Sequence, residues 1–406
     1  MKQKTQSQET QEKNNTEAEI AYSGEGIIFD VGSLCACYSR LVDGRKARGK
    51  RYSLVTMLLL MTLAKLCGQD TPEAMADWAR QRCEALAEML KLKRSAMPHA
   101  TTYGRLIRQA IQPADFEREM HAYFSRQPKV RDATQCCIDG KQIRRTEWVE
   151  GEGNVYLVGV YVPGAGVMLM QTELAAGEGE LSVAPRVLKT LDLQGKVVTG
   201  DAAFTQRNLS IQIVNAGGDY VWKVKANQPK LLEQITLLFQ PPQPALPGFS
   251  LPPTDFRAYS QTTCGHGRIE RRTLTASSLL QGYSDWPNLV QVFKLECQTT
   301  YKKTGEITHS LTYGVTSQCA PKASPRLLLK QTRQHWSIEG GSHQRRDVTF
   351  HEDGCDLRRG HSAHIIAILN NIAIALTTRA GFANAARARR VFDANPSDAL
   401  RLLTSA

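Results

Sequence analysis

The order of runs between residues 132 and 228 constrains the fold of this chain more than any other feature. "ATQCCIDG" reads as a strand ending in an acid and a glycine. "NVYLVGVYVP" and "VMLMQTELA" flank Pro163-Gly164-Ala165-Gly166, which reads as a hairpin turn. "ELSVAPRVLKTLDL" reads as a helix with Pro185 in its first turns, "KVVTGD" as a short buried strand, "TQRNLSIQIVNAGG" as a helix closed by glycine, and "DYVWKVKAN" as another strand. A β-β-β-α-β-α-β order implies an α/β fold, with a mixed sheet and helices on its faces.

The flanking regions have different textures. Residues 1–24 are rich in Gln, Lys, Glu, Thr and Asn and read as a disordered tail. Residues 25–130 read as a helical N-terminal domain. In "RYSLVTMLLLMTLAKLCG" apolar residues cover nearly every face, which predicts a buried helix closed by Gly68. Its apolar run, Leu54 to Leu63, is too short to span a bilayer, and no membrane association is expected. "TPEAMADWARQRCEALAEMLKL" offers Thr71 as N-cap and Pro72 at the first helical position. Residues 229–325 begin helically, pass through a Pro-rich stretch and become alternating strand-like runs, a β-rich insertion between 131–228 and 326–406. The last part is helical again through "RLLLKQTRQHWSIE" and "HIIAILNNIAIALTTRAG".

The formal net charge is +12. A balance that basic favours a polyanionic partner, with nucleic acid first and an acidic membrane surface second. No basic-then-apolar secretory signal opens the sequence, so a cytoplasmic location is expected. Ten cysteines are scattered without paired CxxC elements, which argues against a zinc site and for small buried side chains in a reducing compartment.

Three acids suggest chemistry. Asp139 is read as closing the first core strand, and Asp201 stands at the carboxyl end of "KVVTG", where open α/β sheets build their sites. Glu339 lies on the helix after the insertion. Trp336, Glu339, His343 and Arg346 follow steps of three, four and three there, which puts them on one face. Phosphodiester cleavage requires an activated water and a stabilised leaving oxygen, which a pair of Mg²⁺ ions about 3.5–4 Å apart supplies. Such ions take carboxylate oxygens. Each acid also has a plain reading: Asp139-Gly140 as a hairpin signal, Asp201 as a helix cap, and Glu339 as a solvated helix residue. The residues alone reach metal-dependent phosphotransfer and stop there.

The local motifs go further. The chain resembles bacterial insertion-sequence transposases of the DDE superfamily, in the H-repeat-associated branch with its own helical N-terminal domain. The resemblance is carried by "CIDGKQIR", "VVTGDAAFTQRNLSIQIVNAGGDYVWKVKANQP", "HGRIERR", "HWSIEGGSHQRRDVTFHED", "AILNNIAIALTTRAG" and the N-terminal "LLLMTLAKLCGQDTPEAMADWARQR". It runs from about residue 25 to the C-terminus. It implies an RNase H-like core interrupted by a β-rich insertion. It also implies the acid triad Asp139, Asp201 and Glu339 as catalytic metal ligands, Mg²⁺ with Mn²⁺ as a substitute, action on terminal inverted repeats and target DNA, and a homo-oligomer assembled on DNA. After Ile338-Glu339 the family usually has Asn and, two residues on, Leu, where this chain has Gly340 and Ser342. Gly340-Gly341 costs about 2 kcal/mol of helix propensity against alanines.

Basic clusters beside the acids are candidate DNA contacts: Lys141, Arg144 and Arg145; Lys223, Lys225 and Asn227; His266, Arg268, Arg271 and Arg272; Arg333, His335, Trp336, His343, Arg345 and Arg346. Contacts of this kind position a duplex without reading its sequence. Trp222, Trp286 and Trp336 are core candidates first and base-stacking candidates second. The functional expectation is a transposase that binds element ends, cleaves them and joins the 3′ ends to target DNA, associated with the nucleoid when bound. Its rivals are an RNase H-like nuclease without strand transfer and a non-catalytic DNA-binding remnant.

Overall fold

The computed structural model describes residues 20–22, 27–146, 154–240, 254–354 and 359–405. The chain opens with two short antiparallel strands, β1 (Ile20–Tyr22) and β2 (Ile28–Asp30). Residues 20–22 of the expected disordered tail are therefore corrected to paired strand. The rest of that tail lies outside the described residues.

Seven helices follow: α1 (Leu34–Ser39), α2 (Leu54–Leu66), α3 (Pro72–Gln81), α4 (Cys83–Met89), α5 (Ala100–Arg105), α6 (Pro113–Ser125) and α7 (Pro128–Arg131). Helix α2 buries every residue but Val55, as its all-round apolarity predicts. The Ser53 hydroxyl caps it by accepting from the Thr56 N–H at 3.1 Å. Gly68, at φ +96°, lets the chain turn away while the Gln69 N–H returns to the Ala64 carbonyl. The run expected as one helix from Thr71 breaks at Arg82 into α3 and α4.

The α/β core comprises β3 (Gln135–Gln142), β4 (Tyr156–Val162), β5 (Val167–Glu173), α8 (Glu180–Lys189), β6 (Val197–Gly200), α9 (Arg207–Asn215) and β7 (Asp219–Val224). Helix α10 (Pro229–Leu238) leads into β8 (Arg257–Gly265), β9 (Arg268–Ser277), β10 (Gln291–Tyr301) and β11 (Ile307–Thr316). The chain finishes with α11 (Pro325–His335), α12 (Ser362–Arg379), α13 (Ala385–Ala394) and α14 (Pro396–Thr404).

All strands from β3 to β11 form one sheet in the order β5-β4-β3-β6-β7-β11-β10-β9-β8. Strand β6 runs parallel to both β3 and β7, and the other pairings are antiparallel. The β5-β4-β3-β6-β7 half, with helices between its strands, is the expected RNase H-like arrangement. The β-rich segment does not stand apart from it. β11 pairs with β7, Tyr313 opposite Val224, and so continues the sheet across what would otherwise be an edge. His266 and Gly267, at φ +48° and +73°, make the two-residue turn between β8 and β9.

One hydrophobic core is continuous from Ile27 to Leu403. It joins the N-terminal helices to the sheet through α12, a helix buried along nearly its whole length. No helix among the described residues is long and apolar enough to cross a membrane.

Candidate functional site

Gln135, Cys137 and Asp139 share one face of β3, because alternate strand residues point the same way. Helix α11 lies across that face. The Gln135 side-chain amide donates to the Gln331 carbonyl at 2.9 Å, and the Cys137 thiol donates to the Gln334 carbonyl at 3.7 Å. Thr199 on β6 joins the layer, with its hydroxyl 3.2 Å from the Gln135 amide and 3.4 Å from His335 Nδ1. Asp139 is the next step up from Cys137, and Asp201 the next from Thr199. The parallel pairing of β3 with β6 ends at Cys137 opposite Thr199, so both acids lie just beyond it.

Asp139 does not close its strand, as the sequence suggested. β3 continues through Gln142, paired with β4, and Asp139 faces Gly159. Gly140 is therefore an in-strand residue rather than a hairpin turn. A Cβ on Gly140 would come within 2.2 Å of the Glu180 carboxylate and 2.4 Å of the Tyr156 hydroxyl, so glycine is needed for close approach.

Glu339 opens a π-helical turn, Glu339–His343, that follows α11. Such turns add a residue to the helical register and re-aim the side chains beyond it. Ile338 anchors this turn in a small apolar cluster with Cys137, Tyr161 and Met168. Gly341 lies against Tyr161, and a Cβ there would meet the hydroxyl at 2.2 Å. Nothing in the structure requires glycine at 340, where a Cβ would meet open space. Ser342 is buried, and its hydroxyl has no hydrogen-bond partner among the described residues.

The result is a cluster of Asp139, Glu339 and His343 whose ligand-type atoms lie within 4.8 Å of one another. His343 Nδ1 is 3.7 Å from Asp139 Oδ2 and 3.5 Å from Glu339 Oε2. Asp201 is not in that cluster, but its charge reaches it. Burial, together with the charges of Glu339, Asp201 and Glu180, pushes the Asp139 carboxyl up to about 7, against a lowering hydrogen bond from the Gly140 N–H. Asp201 is exposed, and its Oδ1 accepts from the Ala203 N–H at 2.9 Å in a tight turn. Glu180, in the first turn of α8, is raised by burial and by Asp201. Sequence reading missed it; the acid-rich start of that helix was the available signal.

Burial, then the charges of Arg346 and Lys141, hold the His343 imidazole down at about 3, so the ring is neutral and its approach to the two acids is not an ion pair. Burial and Lys223 hold His335 at about 4. Burial lowers Lys223 as well, against the raising charges of Asp201 and Asp139, and its ammonium sits 4.8 Å from the Trp336 ring centre. Trp336 is 64% exposed, which corrects its reading as a core residue. Trp222 and Trp286 are core residues.

Several basic candidates face inward. Arg346 is 1% exposed and grips Glu352 through bonds of 2.6–2.9 Å. Lys141 is buried against Asp347 at 2.7 Å. His335 and His343 are buried. Trp336, Glu339, His343 and Arg346 therefore do not present one polar face: the first two are exposed and the last two buried. Arg345 bonds Thr378 and the Ala383 carbonyl, and the Asn227 amide bonds the Ala202 carbonyl. Arg268 and Arg272 share a side of β9, but Glu270 stands between them and pairs with both. Arg333 bonds Gln261 on β8. Arg144, Arg145, Lys225, His266 and Arg271 are exposed, and Arg144 leans on Asp353 at 3.8 Å.

Two family models match the chain: "DDE_Tnp_1-associated" over residues 35–124 and "Transposase DDE domain" over residues 131–376. The chain is 25% identical over 359 residues to "H repeat-associated putative transposase YhhI" of Escherichia coli K12, covering 86% of this chain and 91% of the relative. It is 26% identical over 355 residues to "Putative transposase YncI" of Escherichia coli O157:H7, covering 86% and 88%. A solved piggyBac transposase synaptic complex with hairpin DNA aligns over 91% of this chain and 76% of its own, at 11% identity and a TM-score of 0.38, too distant a likeness to carry an argument. With the larger model spanning the sheet, the acid cluster and most of α12, the chain belongs to the transposase DDE domain family.

Proposed function

We propose that this chain cleaves the ends of a mobile DNA element and joins the freed 3′ ends to target DNA, with Asp139, Asp201 and Glu339 as its divalent-metal ligands. The observation that carries this reading is the meeting of Asp139 and Glu339 at one point, with Asp201 close enough to raise the Asp139 carboxyl. Acids crowded enough to raise the Asp139 carboxyl, with Lys223 as the ammonium that feels Asp201 and Asp139, fit a further positive ion, and their oxygens suit Mg²⁺, with Mn²⁺ as a substitute. When bound, the ions lower the pKa of water and neutralise the leaving oxygen.

The chain's own residues do the rest. Neutral His343, its Nδ1 3.5 Å from Glu339 and 3.7 Å from Asp139, offers a third ligand-type atom beside the two carboxylates. Glu180 adds negative charge near Asp201. Lys223, between the acids and Trp336, meets a phosphate, and the exposed Trp336 ring stacks an unpaired base at the cut. Arg144, Arg145, Lys225 and Arg271 hold backbone phosphates. The working form is a homo-oligomer on terminal inverted repeats, in the cytoplasm and on the nucleoid.

The test is nicking and joining of a terminal-repeat duplex in Mg²⁺. Asp139→Ala, Asp201→Ala and Glu339→Ala should each abolish both, while leaving metal-free DNA binding largely intact. Any one of them cutting near the wild-type rate removes that residue from the ligand set. Cut products without joined ones would reduce the reading to a nuclease.

A further inference from the structure

We infer that the N-terminal helical region carries a second DNA-binding site, a cleft that grips the phosphodiester backbone of a duplex apart from the Asp139 centre. The inference rests on the DNA reading above and adds a surface that none of the candidate contacts in the sheet region includes.

The cleft has a volume of about 1150 Å³ and lies between residues 44–52 and residues 92–110. One wall supplies Lys46, Arg48 and Arg51, and the other supplies Lys93, Arg94 and Arg105. All six are exposed. Among the described residues none of the six has an ion-pair partner. Among the described residues no carboxylate lines the cleft. Between Leu41 and Tyr52 the one acid is Asp43, and it is taken up by Arg45 at 2.8 Å and Lys50 at 3.6 Å. From Met89 to Ala114 the chain has no acid at all.

The walls are held in place. The Gly44 N–H donates to the Ala110 carbonyl at 3.1 Å, and the Tyr52 hydroxyl donates to the Ala96 carbonyl. Arg45 is fixed by both oxygens of Asp43 and by the Tyr52 carbonyl, so it stiffens the wall. A solvated basic surface is normally interspersed with acids and convex. Here single-sign charge is gathered in a concavity, where the field is focused and the repulsion between the cations is offset by an anion. A polymer of regularly spaced phosphates supplies that anion along both walls at once, and the guanidinium forks of Arg48, Arg51, Arg94 and Arg105 suit its paired oxygens. The contacts are to the backbone, so the site positions DNA without reading sequence.

The test uses the full chain and a labelled duplex of arbitrary sequence, without metal. The variant combines Arg48→Ala, Arg51→Ala and Arg94→Ala. All three residues are exposed, and a melting curve matching the wild type verifies the fold. Affinity should fall by about tenfold or more, and the slope of log affinity against log salt should flatten by about three units, one per lost phosphate contact. The companion variant Arg48→Lys, Arg51→Lys, Arg94→Lys should keep most of the slope. Wild-type affinity and slope in the alanine variant would overturn the inference while leaving the Asp139 reading untouched. Absence of duplex binding by the wild type would sink both, as would capture by anionic phosphatidylserine vesicles in place of DNA. If the wild type binds duplex through the cleft but cuts nothing in Mg²⁺, the cleft stands and the catalytic reading fails.

Discussion

Gly341 lies so close to Tyr161 that a Cβ on the glycine would come within 2.2 Å of the tyrosine hydroxyl. This approach lets the π-helical turn carrying Glu339 settle onto β4, beside the strand that bears Asp139. Gly341→Ala is therefore expected to push the turn off the sheet and lower metal-dependent cleavage by about tenfold or more, since misplacement by about 1 Å has costs of that order or greater. Tyr161→Phe removes the clashing oxygen, and the double variant should recover part of the lost rate. Single-turnover nicking by the three variants decides it; a fully active Gly341→Ala would show that the turn adapts without cost.

Arg346 and Glu352 form an ion pair with both side chains 1% exposed, completed by the Asn370 amide at 2.8 Å from Glu352 Oε2. Burial raises the Glu352 carboxyl, but Arg346 and its hydrogen bonds bring it down below the usual range. Removing one partner strands the other charge. Glu352→Ala should destabilise the protein by about 3–5 kcal/mol, read as a lower denaturant midpoint. Replacing both residues with apolar ones of similar volume should cost much less. Equal losses in the single and double variants would mean that the cost lies in packing rather than in the orphaned charge.

Some of this was legible in the sequence. The β-β-β-α-β-α-β order is present, because alternation and turn residues are local. Asp201 stands where its strand predicted. The convergence of Asp139 and Glu339 came from the family resemblance, since 200 positions separate them and periodicity has no reach over that distance. Charge is visible in a sequence, but the partner is not. "HQRR" advertised Arg346 as a surface cation, while Glu352, six residues on, takes it into the core. Trp336 erred the other way, with an aromatic ring left in solvent over Lys223. Glu180 was missed because its approach depends on the missing side chain of Gly140 across the chain fold. That the insertion extends the core sheet was not legible, because strand pairing between β7 and β11 is a register fact, unstated by either segment alone.

In metal-free protein, Asp139 is a destabilising anion. Its carboxyl is raised to about 7 in the fold against an ordinary value of 3.8, so the protonated form is the one that the fold favours. Its contribution is present below the unfolded value and is lost as pH rises through about 7. Asp139→Asn should therefore stabilise the metal-free protein at pH 8, by about 1–4 kcal/mol, and change little at pH 4. With Mg²⁺ added, wild type should gain stability at pH 8 and the variant should gain less. Chemical denaturation with and without a chelator measures all four states. A variant no more stable than wild type at pH 8 would indicate that the Asp139 charge is already compensated.

His364 on α12 bridges two acids from different parts of the fold. Its Nε2 is 3.3 Å from Glu117 on α6, and its Nδ1 is 3.1 Å from Glu173 on β5. Glu117 also accepts from the Gln171 N–H, so helix, strand and C-terminal helix meet at one imidazole. Burial by itself would lower the imidazole pKa, but the hydrogen bonds and charges of the two carboxylates outweigh it and raise it to about 9. A raised histidine gives stability that is fully present below its unfolded value of 6.5 and is lost as pH climbs through about 9. The shift corresponds to about 3 kcal/mol. Wild-type stability is thus expected to decline between pH 6.5 and 9.5. His364→Gln keeps a hydrogen-bonding side chain but removes the charge, so it should be less stable than wild type at pH 6 and approach it at pH 9.5. Other groups titrate in this window, and subtracting the variant's profile from the wild-type profile isolates the histidine. A difference that stays constant from pH 6 to 9.5 would show that the imidazole is neutral throughout, and that His364 joins the three elements by packing and neutral hydrogen bonds alone.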